Sequence, residues 1–123
     1  MLKIVPATAE MVKELDAKPL LLTLRGATAV IENGKVLGIA GYCLGHESVI
    51  VVSRMTDDAR ASIRLRLDYR KALVKVAKTV LQKAKATGIY IDATADEVDG
   101  ALETLTHYGF KPYGSAYRWH GSH

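Results

Sequence analysis

The spacing of apolar and polar positions changes several times along the chain, and each change marks an element. "LKIVPAT" predicts a short strand ended by Pro6, and Thr8 suits the N-cap of a helix through Leu15 with Glu10 in its first turn. "KPLLLTLR" fits a short second helix or a connector. "ATAVIENGKVLGIAGYCLG" reads as two strands joined by Asn33-Gly34, the pair that best tolerates positive φ in a tight hairpin. Gly45-His46 offers a second turn, and "ESVIVVS" follows as a third antiparallel strand, so a meander is expected.

From Ser62 to Thr87 the period becomes helical. Leu65, Tyr69, Leu73, Val76, Ala77, Val80, Leu81 and Ala84 form the stripe of one long amphipathic helix that Gly88 ends. "IYIDAT" returns to alternation, with Ile89, Ile91 and Ala93 on one face and Tyr90, Asp92 and Thr94 on the other. Asp96 then caps a helix through Ala101, Leu102 and Leu105 to Tyr108. Gly109 can take the left-handed conformation that closes it, Phe110 folds back on the last turn, and "FKPYGSAYRWH" supplies one or two short strands. The predicted core is Ile31, Val36, Ile39, Val51, Leu73, Val76, Val80, Ile91, Leu102 and Phe110.

Composition adds limits. At 123 residues, 49% hydrophobic and 24% charged, the chain suits one compact domain over residues 1–123, without repeats or a linker. No apolar run reaches the roughly 18 residues of a membrane span, and the first residues lack a signal-peptide pattern. The single cysteine, Cys43, fits a structural thiol in a reducing, cytoplasmic compartment. The terminal "GSH" has the look of a vector scar.

Charge is unevenly spread. Residues 54–85 carry ten Lys/Arg against three Asp/Glu, among them Arg54, Arg60, Arg64, Arg66 and Arg70. Such a segment suits a phosphate-bearing cofactor, a nucleic acid or an acidic protein surface, and equally a solvated helix face.

Taken in order, these elements form an α+β domain that resembles the GNAT superfamily of N-acetyltransferases. That fold has a mixed sheet with an antiparallel three-stranded meander, a long central helix and a C-terminal helix. "ALETLTHYGFKPYG" carries the resemblance in sequence: Ala101, Gly109 and Phe110 match the spacing at the end of the family's fourth helix. The motif-poor, Arg-rich helix start is also similar to small bacteriophage members of the superfamily, including virion components.

The resemblance implies acetyl-CoA or another acyl-CoA as cofactor, an amine as acceptor and no metal. The family's cofactor pyrophosphate lies on N–H groups at the start of the long helix, within a glycine-rich loop. Here Asp68, Lys71 and Leu73 stand at the loop's key positions, and "TDDARAS" is the alternative loop. Arg60, Arg64 and Arg66, with Ser53 at the end of the meander, are the candidate cofactor contacts. Asp92 is the candidate base and Tyr108 the candidate proton donor. The family's usual tyrosine position is Leu105, while Tyr113 and Tyr117 are further candidates for the donor. His46, His107 and His120 read as surface histidines, because no partner fixes a tautomer. Two functions follow: a divergent acyl-CoA-dependent N-acyltransferase, or a non-catalytic GNAT-fold interaction or assembly module, virion-associated if the phage likeness holds.

Overall fold

The structure is a computed structural model and describes residues 2–15, 24–45, 47–63, 65–94 and 105–120. Local chemistry accounts for most of its elements. β1 (Leu2–Pro6) ends on a proline, and α1 (Ala9–Leu15) starts where Thr8 Oγ1 accepts the Met11 N–H at 3.3 Å. β2 (Arg25–Glu32) turns into β3 (Lys35–Leu44) through Asn33 at φ 52° and Gly34 at φ 79°. Two left-handed residues in succession match the twist of the strands they join.

β4 (Ser48–Met55) runs back along β3, so β2, β3 and β4 are successive antiparallel neighbours. After β4 the chain crosses through α2 (Asp57–Ser62) and α3 (Leu67–Lys85) to β5 (Tyr90–Ala93). β5 lies parallel to β4, with Val49 opposite Ile91 and Val51 opposite Ala93. Residues 105–107 form a helical turn, and β6 (Phe110–Tyr113) and β7 (Ala116–Trp119) close the fold. The sheet order is β1-β2-β3-β4-β5-β7-β6, so the last strand inserts between its two predecessors.

The sheet separates two apolar clusters. On one face Val49, Val51, Ile91 and Ala93 meet Tyr69, Ala72, Val76, Val80 and Ala84 of α3, together with Leu105 and Phe110. On the other, Val12 of α1 packs with Ala29, Val36, Ile39, Cys43 and Val52. Of the predicted core, Val36, Ile39, Val51, Val76, Val80, Ile91 and Phe110 are buried, whereas Ile31 and Leu73 are half-buried. Leu102, like His46, Arg64, Asp96, Ala101 and most of "KPLLLTLR", lies outside the described residues.

One expected element is divided. The stripe from Ser62 to Thr87 predicts a single helix, but "TDDARAS" coils into α2 instead of a loop, capped where Thr56 Oγ1 accepts the Ala59 N–H at 3.1 Å. Arg66 then takes an extended backbone, φ −121° and ψ 106°, before α3 begins. Leu65 therefore leaves the stripe and is 88% exposed. Asp68 makes the break favourable, because its Oδ1 accepts the Tyr69 N–H at 2.9 Å and takes one of the donors a helix start leaves open.

Candidate functional site

Neighbouring stripes of α3 have different surroundings. Tyr69, Ala72, Val76, Val80 and Ala84 are buried against the sheet, while Arg70, Leu73, Ala77 and Leu81, at helical spacing beside them, line a cleft of about 500 Å³. Val51, Ser53 and Met55 of β4 contribute on one side, and Leu105, His107, Tyr108 and Phe110 on another. The lining is largely apolar, and Arg70 lies exposed in the first turn of α3. Arg54 also lines the cleft, with Nη1 donating to the Ser53 carbonyl at 2.8 Å.

The chain end positions Tyr108. Gly109 closes the helical turn at φ 94°, and the His120 N–H returns to the Gly109 carbonyl at 3.1 Å. The Trp119 indole N–H donates to the Tyr108 carbonyl at 2.9 Å, and His107 meets the Tyr108 ring edge-on, with centroids 5.0 Å apart. Burial raises the Tyr108 phenol above its ordinary value, because the phenolate would lose hydration.

The start of α3 has a different character from that expected. Arg66 donates to both oxygens of Glu32, at 2.7 and 2.6 Å, and to Asp68 at 2.8 and 3.2 Å. The hydrogen bonds from Arg66 hold both carboxyls below their usual range, and the two carboxylates raise Arg66 further. Two negative charges against one positive make this corner unfavourable for a phosphate. Beneath it, Tyr69 is 1% exposed, its hydroxyl has no hydrogen-bond partner among the described residues, and burial pushes its phenol up to about 12.

The candidate residues divide accordingly. Ser53 and Tyr108 come together in the cleft. Arg60 bonds Asp57 at 3.4 Å on the exposed surface of α2 and Arg66 serves Glu32 and Asp68, so among the described residues these two arginines are engaged with carboxylates; Arg64 lies outside the described residues. Asp92 alternates with Ile91 and Ala93, which face α3, and so points to the opposite side of the sheet from the cleft. There Arg118 Nε and Nη2 donate to its two oxygens at 2.7 and 3.0 Å. These bonds, with one from Ser48, lower its pKa. An ion-paired carboxylate on the far face cannot take a proton from an amine in the cleft.

Sequence reasoning singled out neither Arg70 nor His107 as a site residue. For Arg70 a signal exists: it heads the Leu73, Ala77, Leu81 stripe within the basic segment. His107 has none, since its place depends on how residues 105–110 fold against the sheet. Among the described residues no three His, Cys, Asp or Glu stand together as a metal site, and no helix is long and apolar enough to cross a membrane.

A mixed seven-stranded sheet with a helical crossover between parallel β4 and β5, and a cleft beside that crossover helix, is an α+β fold similar to that of a solved acetyltransferase. Among solved structures, the IAA acetyltransferase from Bacillus cereus ATCC 14579 matches over 93% of this chain and 78% of its own, with a TM-score of 0.57 and 12% sequence identity. At that identity the likeness is one of fold. No protein-family model and no curated protein matches the chain.

Proposed function

We propose that the protein is a divergent GNAT-fold acyl-CoA-binding protein of the N-acyltransferase type. The cleft carries this reading: about 500 Å³ of largely apolar space beside β4, with Ser53, a protonated Tyr108 and Arg70 among its residues. An acyl-pantetheine arm is elongated and mostly apolar, which suits such a lining. Its phosphates would turn toward Arg70, away from Glu32 and Asp68. In transfer, an amine attacks the thioester carbonyl, the C–N bond forms and the C–S bond breaks. The amine gives its proton to water or to His107, and the leaving thiolate takes one from Tyr108.

A second reading is favoured by the corner at the start of α3. Glu32 and Asp68 crowd the start of α3, near which the family's cofactor would leave its pyrophosphate by the resemblance, and Leu105 is the position that the resemblance gives to the family's tyrosine. In that reading the fold is a non-catalytic interaction or assembly module, virion-associated by the phage likeness, and the basic segment 54–85 meets an acidic protein surface or nucleic acid.

Calorimetry with acetyl-CoA separates the two. The first reading expects salt-sensitive binding that weakens in Arg70→Ala, together with acetyl transfer to an amine that slows in Tyr108→Phe while binding persists. No heat at millimolar acetyl-CoA, and no rise in melting temperature, overturns the first reading and favours the second.

A further inference from the structure

The face of the sheet away from α3 is unevenly covered. α1 packs over β2, β3 and β4, whereas Tyr90 on β5 and Tyr113 on β6 remain 62% and 53% exposed. Arg118 lies between them on β7. Its guanidinium carbon is 4.1 Å from the Tyr90 ring centroid and 3.9 Å from that of Tyr113. Strand register explains the stack: Arg118 is opposite Asp92 and Lys111, Tyr113 is opposite Ala116, and Tyr90 precedes Asp92 by one pleat. The three side chains thus form an oblique row across three strands.

Asp92 orders this row. Its two oxygens hold the guanidinium in one plane, and the Arg118 and Asp92 side chains are only 11% and 15% exposed. The held guanidinium lies over both tyrosine rings and so restrains each of them before any ligand arrives. Lys111, directly across from Arg118, is exposed and makes no ion pair among the described residues. The Asp92–Arg118 pair cancels itself, which leaves Lys111 as the cation beside the two aromatic surfaces.

We propose that the outer face of β5, β7 and β6, through Tyr90, Tyr113 and Lys111, is a binding platform for single-stranded nucleic acid. The chemistry matches in each part. Unstacked bases present π-faces that pack on exposed aromatic rings, and a neighbouring lysine meets the phosphate backbone. A duplex keeps its bases stacked internally and offers the rings nothing. A second copy of the chain fits less well, because apposing this face on itself brings Lys111 toward Lys111. Pro112 in edge strand β6 also lacks the N–H that strand-to-strand pairing needs. The site is on the opposite side of the sheet from the cleft, so it is independent of acyl-CoA binding.

The test is fluorescence anisotropy with a labelled short oligo-thymidylate or oligo-uridylate, and a duplex of the same length, at low and moderate salt. The single strand should bind, the duplex should bind more weakly, and Tyr90→Ala/Tyr113→Ala should lose about tenfold or more in affinity. Tyr90→Phe/Tyr113→Phe keeps the rings and should bind like wild type, which separates stacking from loss of fold. Lys111→Gln should make the salt dependence shallower. The proposal is overturned by absence of single-strand binding at low salt, or by equal affinity in the alanine pair and wild type. It is also overturned if Lys71→Gln/Lys78→Gln on α3 abolishes binding while the tyrosine pair does not.

Discussion

Arg66 grips both oxygens of Glu32 at 2.7 and 2.6 Å across 34 residues of chain, and so ties the start of α3 to the end of β2. The same guanidinium lies 5.4 Å from the centroid of the Tyr69 ring. One arginine therefore restrains the hairpin end, the helix start and a core aromatic together.

That pairing should make stability depend on acid. The hydrogen bonds from Arg66 lower Glu32 from its ordinary 4.5, so its folded form holds a proton less readily than its unfolded form. The contribution is complete above about pH 4.5 and is lost as pH falls through the lowered value. Glu32→Gln should melt below wild type at pH 7, and the gap should narrow at pH 3. A gap of constant size would sink this account.

Tyr69→Phe should stabilise the protein by about 1 kcal/mol, because it removes a buried hydroxyl that has no partner among the described residues and keeps the ring. Alkaline pH sharpens the test. The unfolded phenol ionises near 10 and the folded one only near 12, so wild-type stability falls between those values. Denaturant melts at pH 7 and pH 11 should show the variant's advantage growing with pH.

Asp92 and Arg118 should behave as a coupled structural pair. Each single change, Asp92→Asn or Arg118→Ala, should lower the denaturation midpoint, and the double variant should lose less than the two losses added together. Strict additivity in the cycle would show that the two contribute separately.

Phe110→Ala should cost about 3–5 kcal/mol through lost burial and a residual cavity. Lys78→Ala, on the exposed side of α3, should change stability by less than about 0.5 kcal/mol. Lys83 is a poorer control, since its alkyl stem packs against Gly26. Gly109→Ala forces a side chain to φ 94° and should cost about 1–2 kcal/mol. Equilibrium unfolding of the three variants checks the ordering.

Much of the fold was legible because its signals are short-range. Asn33-Gly34 sets a hairpin by its own φ preferences, Thr8 caps α1 three residues ahead of its donor, and the α3 stripe repeats within one turn. The same local rules mislead at residues 62–66. Leu65 has the right spacing for the stripe, but the cap that Asp68 gives Tyr69 and the reach of Arg66 to Glu32 reset the helix start beyond it.

The sequence by itself determined the order of the strands, the meander turn, the faces of α3 and of β5, and the aromatic and glycine chemistry around Gly109. Only the tertiary structure decided which charges meet and which side of the sheet each candidate occupies. The difference is physical: turns and periodic faces depend on torsions and neighbours a few residues away. An ion pair depends on distance in space, and Asp92 meets Arg118 from 26 residues off only because β7 enters between β5 and β6.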